Sequence, residues 1–349
     1  MTHKLLLPLF CTFSSFLFGQ TAGGRYTYSF LTLPNSARVT GLAGTQISIQ
    51  DDDINLAYVN PASLNAKTSG SLSLSHQFHF ADIQQTYFAY GHHLKKWGIH
   101  SHAALHHINY GDFNYGDEIG KLDGSFSASE TALILGASYS IQNKLHLGAN
   151  LKNIFSSLES YNSYGLAIDL GAIYYIDSAY TSIGLVIKNL GGELISYAAE
   201  NRSAPLDIQI GFTKRLKHLP FRFGVIFNQL QLWDVRYDDP NKEQVSNVFG
   251  ESSQQSEFQK STDNFFRHLT FNGEFLLGKN QNLRLRGGYN HIRRKELSVQ
   301  SLRSMAGFSL GLGIKISYFK LDYGIGFHHI AGGTHHLSIS TQLRDFKKM

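Results

Sequence analysis

The chain has 349 residues, of which 16% are charged, 13% aromatic, 33 glycine and 6 proline. Soluble chains average about 25% charged residues, so a soluble helical enzyme with Glu and Lys at helical spacing is a poor fit. The net charge of +5 is spread along the chain, which leaves no basic block for a nucleic-acid partner, and the single Cys11 excludes a disulfide framework or a Cys metal site.

At the start, His3 and Lys4 precede an apolar run from Leu5 to Phe18 that ends at Gly19. This pattern predicts a secretory signal peptide over 1–19, cleaved near Gly19–Gln20. The run is shorter than the ~20 residues of a spanning helix. Leu9 and Phe10 stand where a lipoprotein site needs a small residue, so lipidation of Cys11 is not expected. No later run approaches a helical span.

Residues 20–66 differ from the rest of the chain. They hold Gly23-Gly24, the run Leu33-Pro34-Asn35-Ser36-Ala37-Arg38, three successive acids at Asp51–Asp53, and Asn60-Pro61-Ala62. They are predicted to form a segment folded into or beneath whatever residues 67–349 enclose.

From about Ser69 the chain alternates with period two. Leu206, Ile208, Ile210 and Phe212 are apolar, while Asp207, Gln209, Gly211 and Thr213 are polar or small. The same holds for Phe319, Leu321, Tyr323, Ile325 and Phe327 against Lys320, Asp322, Gly324, Gly326 and His328. Such alternation marks strands with one apolar face. Fourteen segments are predicted, from about 70–80 to 335–345, most of them 11 to 13 residues long. Globular strands run roughly 5–6 residues; tilted membrane strands need about 9–11.

Connections alternate too. Those at 109–123, 190–204, 233–265 and 293–304 are long, whereas those near 142–143, 177–178, 217–218 and 279–280 are short. This predicts an all-β, fourteen-stranded antiparallel transmembrane β-barrel in an outer membrane, with long loops outside and both termini periplasmic. Lys144, Lys152, Asp169, Arg222, Glu274, Arg284, Arg286, Lys315 and Asp322 fall on the predicted inward face.

Chemistry-bearing patterns are sparse. No nucleophile elbow, phosphate loop or zinc-protease helix occurs. The pairs His92-His93, His106-His107, His328-His329 and His335-His336 each offer at most one inward ring, because strand neighbours point to opposite faces. Asp51–Asp53 lacks the spacing of a calcium loop. No catalytic site, metal or cofactor is therefore expected. The loop 233–265 carries seven acids against three bases, together with Trp233, Tyr237, Phe249 and Phe258. Its neighbour 293–304 is basic, with Arg293 and Arg294. The two are predicted to form an outer docking face, since exposed aromatics and Arg are typical of binding hot spots; the basic loop could equally meet lipopolysaccharide phosphates.

The N-terminal stretch carries a family resemblance. Gly23-Gly24, Tyr26, Tyr28-Ser29-Phe30-Leu31, the Pro34, Ser36, Ala37 and Arg38 run, Gly41-Leu42-Ala43-Gly44, Asp51 to Asp53, Leu56-Ala57 and Asn60-Pro61-Ala62-Ser63-Leu64-Asn65 together resemble the mature start of the PorQ family of the type IX secretion system. The Asn-Pro-Ala element is shared with PorV and with FadL-like fatty-acid channels. The resemblance covers roughly residues 23–65; over the barrel it is architectural only. It implies a fourteen-stranded barrel with an N-terminal hatch over 20–66, acting without chemistry of its own. Such a barrel would anchor a cell-surface attachment complex by holding a PorZ-like protein beside PorU and PorV while cargo is joined to lipopolysaccharide. The alternative is a FadL-like transporter of a hydrophobic small molecule, which would need an apolar pocket opening toward the hatch.

Overall fold

A computed structural model describes residues 25–116, 121–176, 179–197, 200–236, 256–297, 304–329 and 332–346. Residues 1–19, the expected signal peptide, lie outside this set, as do Tyr237 and Phe249.

Fourteen strands form one closed antiparallel barrel in which every strand pairs with its sequence neighbours and β1 closes onto β14. They are β1 (Ser71–Phe78), β2 (Gln84–Leu94), β3 (Ile99–Gly116), β4 (Leu122–Ile141), β5 (Leu145–Leu158), β6 (Tyr161–Ile176), β7 (Thr181–Ile195), β8 (Asp207–Arg215), β9 (Phe221–Phe227), β10 (Leu269–Leu277), β11 (Leu283–Asn290), β12 (Phe308–Ile316), β13 (Phe319–His329) and β14 (Gly332–Gln342). Closure registers Ser71 with Gln342 and Phe78 with His335.

The alternation in the sequence becomes the two faces of the wall. Outward positions carry large apolar side chains that nothing in the chain covers: Leu74, Phe88, Leu105, Leu133, Leu151 and Ile210 are each more than 40% exposed. Their inward neighbours are small or polar and buried, as with Ser73, Ala89, Ala104, Ala132 and Gln209. A continuous apolar outer belt on a closed sheet suits lipid and does not suit water. No helix among the described residues is long and apolar enough to cross a membrane.

Connections between even and odd strands are short turns such as 95–98, 142–144 and 317–318. The opposite end carries 196–206, 228–268 and 291–307. Two predicted long loops differ. Most of 109–123 is strand, because β3 and β4 extend as a ribbon in which Phe113 stacks on Phe126, with ring centroids 5.2 Å apart. The connection 228–268 contains α3 (Glu257–Arg267), and 291–307 begins with α4 (His291–Glu296). Lys144, assigned to the inward face, stands exposed in the turn 142–144 instead, since the strand parity stops at Ile141.

A fourteen-stranded ring is wider than its own wall side chains can fill. Residues 25–70 fill it. They contain α1 (Ala37–Gly41), α2 (Leu56–Val59) and 3-10 turns at Ser29–Thr32, Pro61–Ser63 and Ala66–Thr68. Phe30, Leu31, Ile54, Tyr58 and Leu64 pack against inward Tyr87, Ala104, Ile134 and Ile154, while Val39, Ile47 and Val59 pack against Val186 and Ile226. The start of β1 and the short α5 (Leu343–Phe346) lie at the short-turn end, where Phe346 meets Tyr318 at 5.2 Å. The described chain begins at the other end, where Thr27 bonds Ser203 O at 3.1 Å and Glu193 at 3.0 Å. The expectation that both termini share one end therefore fits the barrel's own ends, not the segment that enters it.

The lipid-facing assignment is tested by charge. Leu312→Lys, at the middle of β12, should cost roughly 2–4 kcal/mol and lower the heat-modifiable folded fraction. Inward Arg284→Ala should be milder. Equal losses would refute the face assignment.

Candidate functional site

The interior is built around one arginine. Ser36 caps α1 by accepting the Val39 N–H at 3.4 Å, and the Ala37 N–H donates to Ser338 on β14 at 2.9 Å. This places Arg38, 1% exposed, against the wall. Its guanidinium donates to Asp51 at 2.7 Å, to Asp53 at 3.0 Å and to Glu274 on β10 at 3.1 Å. Glu274 also accepts from Arg286 at 2.8 Å and from Arg222, and Arg222 reaches Asp51 at 3.2 Å. Arg286 extends the network to Asp322 at 2.5 Å, and Lys320 pairs with Asp52. Asp51 and Asp52 thus meet cations from β9, β11 and β13, while Asp53 pairs with Arg38. Arg38, Glu274 and Arg286, each with a side chain at most 1% exposed, would be costly unpaired, whereas Asp51 and Asp52 keep side-chain exposures of 24% and 28%.

The Asn-Pro-Ala element makes the second attachment. The Asn60 side chain accepts the Ala62 N–H at 3.0 Å, which caps the 3-10 turn, and donates to Ile47 O at 2.7 Å. Pro61 sits at the first position of the turn, where its missing N–H costs nothing. The turn lies so close to the wall that a Cβ on Gly171 would stand 2.0 Å from the Asn60 Oδ1, and one on Gly148 2.5 Å from the Pro61 carbonyl carbon. Only glycine permits that approach. Pro34 contributes a carbonyl that accepts from Gln85 at 2.7 Å.

A third group lies on β5–β7. Lys152 and Asp169, both fully buried, pair at 2.8 Å. Asn150 ties Asp169 to Ala57 O, at 3.1 and 2.9 Å. The β6–β7 ladder slips here, from Ile168 with Leu190 to Leu170 with Ile187. The freed N–H of Asn189, in a left-handed conformation with φ 58°, donates to Asp169 at 2.8 Å.

All nine motif residues from Pro34 to Ala62 are thereby brought into one interior assembly. The two predicted docking segments meet where both are described, with Lys295 Nζ 2.9 Å from Asp263, while Tyr237 and Phe249 lie outside the described residues. Trp233 and Phe258 are exposed by 65% and 80%. Arg293 instead turns inward, with Nη1 3.5 Å from Ala43 O, and Arg294 donates to Ser304 O; the helical turn of α4 directs both toward backbone carbonyls. The described histidine pairs split across the wall, with His106 and His336 buried inside. His106 meets the Tyr58 hydroxyl at 3.0 Å, and His336 meets Thr40 at 2.9 Å. Among the described residues no group of three or more His, Cys, Asp or Glu is placed to hold a metal. The wall partners Glu274, Arg286 and Asp322 were legible as inward charges; their convergence on Arg38 was not.

No protein-family model and no curated protein matches the chain. Solved structures of similar fold are outer-membrane barrels. The Ralstonia pickettii toluene transporter TbuX is 12% identical, with 90% of this chain and 99% of that one covered at a TM-score of 0.53. A deltaS2 mutant of the TodX monoaromatic hydrocarbon channel is 12% identical, covering 87% and 96% at 0.52. A Pseudomonas aeruginosa FadL homologue is 9% identical, covering 88% and 98% at 0.50. At such identities the likeness establishes the architecture alone, a closed antiparallel β-barrel of the kind those proteins share.

Removing Arg38 leaves Asp51, Asp53 and Glu274 short of a partner. Arg38→Met should weaken the segment's attachment by up to roughly 3–5 kcal/mol, seen as faster hydrogen exchange over 36–54 in a barrel that still forms. Unchanged exchange would place the attachment elsewhere.

The acids also set a pH window. Burial raises the carboxyls of Asp51 and Asp52, yet Arg38, Arg222 and Arg284 hold Asp51 well below the usual range, and Lys320 with Arg284 lowers Asp52. A depressed carboxyl contributes stability that is present above its unfolded value, about 3.9, and lost as pH falls through the folded one. Protection of 36–54 should therefore persist down to about pH 4 and fail below it. Loss already between about pH 7 and 5 would contradict this assignment.

Proposed function

We propose that this barrel is a closed outer-membrane scaffold, with its loop end outside and its short-turn end in the periplasm. It acts without chemistry of its own as the anchor of a type IX cell-surface attachment complex. The observation that carries this reading is the filled lumen: residues 25–70 occupy it and are held by ion pairs to β9, β10, β11 and β13. A conduit gains nothing from such a lock, whereas a scaffold presenting loops to protein partners does. The resemblance of residues 23–65 to the PorQ family supports the same reading and supplies the partner class, a PorZ-like surface protein with PorU and PorV. Trp233 and Phe258, exposed beside the acidic stretch 237–255, are the side chains offered to it.

A second reading is passage of a small hydrophobic molecule. The solved barrels of like fold favour it over anchoring, since they include a toluene transporter and a hydrocarbon channel. Its structural requirement, an apolar path along the segment, meets an interior whose apolar clusters around Phe30, Tyr58 and Val39 are packed and whose remaining lining is Arg, Asp, Asn and Ser.

Two measurements separate the readings. Affinity purification from outer membranes should recover surface proteins with the intact chain and lose them when 240–262 is replaced by a Gly-Ser linker, the barrel still assembling. Liposomes carrying the protein should take up labelled toluene no faster than empty ones. Uptake above that background, with no co-purifying protein, would overturn anchoring in favour of transport.

A further inference from the structure

The segment leaves one part of the lumen open. At the loop end a cavity of about 380 Å³ lies between the segment, the β7–β8 hairpin and α4, within the size range of small-molecule sites. Its lining is rich in amides: Asn189, Gln209, Asn228, Gln229, Gln231 and Asn290. Most of these amides already bond within the chain, as Gln209 does to Thr45 and Asp207 and Gln231 to Leu206 O, so they fix a polar wall, while the Gln229 side chain and the Ser29 and Thr32 hydroxyls also line the cavity.

Lys188 on β7 lines this cavity and is 6% exposed. Its nearest described partner is the face of Tyr58, with Nζ 5.8 Å from the ring centroid. No carboxylate among the described residues stands within ion-pairing distance of it. Asp207, opposite it across the β7–β8 ladder, spends its oxygens on the Gln229 N–H at 2.9 Å and the Gln209 amide at 2.5 Å. Asp169 is already taken by Lys152 at 2.8 Å. Arg293 and Arg267 add cations to the lining, the latter paired with Asp263 at 2.8 Å, and Glu296 adds a carboxylate at its exposed edge. A buried ammonium without a counterion is costly, and an anion entering the cavity would remove that cost.

We propose that the cavity binds a small polar oxyanion, a carboxylate or phosphate ester bearing hydroxyl groups, with its charge on Lys188 and its hydroxyls toward the Gln229 amide and the Ser29 and Thr32 hydroxyls. The volume holds a sugar phosphate and leaves no room for a two-chain lipid. This inference goes beyond the anchoring reading and is independent of it, because no partner protein enters the measurement.

The test is calorimetric titration of the full chain in detergent micelles, free of phosphate buffer, with glucose 1-phosphate, citrate and uncharged glucose. Saturable one-to-one binding of an anionic probe is expected, with none for glucose. Lys188→Met should weaken that binding at least tenfold, and Lys188→Arg should keep it within about threefold, by the charge each retains. Lys144→Met, in an exposed turn, should bind as the native chain does. Heat-modifiable migration checks that each variant is assembled; if Lys188→Met fails to assemble, Lys188→Gln carries the comparison. Absence of binding for both anions, equal binding of glucose, or full affinity in the assembled Met or Gln variant would overturn the proposal.

Discussion

A sheet in hydrocarbon can leave no backbone N–H or C=O without a partner, and this requirement sets everything else in the molecule. It forces β1 onto β14, and closure at fourteen strands fixes a ring too wide for its own side chains. The wall therefore turns small residues inward, and a separate piece of chain must occupy the space. The outside is apolar because lipid is the solvent there; the interior holds the buried ion pairs and packed clusters that a soluble protein distributes between core and surface.

The interior attachment combines two kinds of specificity. Apolar packing of Phe30, Tyr58 and Val39 is tolerant of small displacements. The Arg38 network is not, because its guanidinium fork must meet Asp51 and Glu274 together. The glycines at 148 and 171 add a steric gauge: the Asn60–Ala62 turn fits at those two wall positions and would collide with any side chain there. Register of the segment within the barrel follows from these fixed points more than from hydrophobic burial.

Strand number and strand faces were legible from the sequence because a period-two pattern survives without knowledge of partners, as in Leu206 to Thr213. Loop lengths were less so. Residues 109–123 carry polar and glycine signals, yet Phe113 and Phe126 keep the ribbon paired. Parity also fails where a ladder slips. Val186 and Lys188 point inward at even positions, and after the bulge at Asn189 the inward residue is Glu193. Alternation cannot register such an inserted residue. Motif reading singled out Arg38, Asp51 and Asn60, but their partners Glu274, Gly148 and Gly171 come from distant strands and have no local signature. The directions of Arg293 and Arg294 were not legible for a related reason: a short helix decides them, and composition does not.

The closing pair of the barrel is made by its first and last strands, and the enclosed segment precedes the first. Ala37 bonds Ser338, 301 positions later in the chain. Gly41 lies against Gly311 so tightly that a Cβ would stand 2.9 Å from its Cα. The seat of the segment is thus built from the strands delivered last, β12 and β14. Its final position is fixed only once those strands are in place. Biogenesis is accordingly an act of wrapping, in which the last strand to emerge completes the seat of a segment that precedes the first.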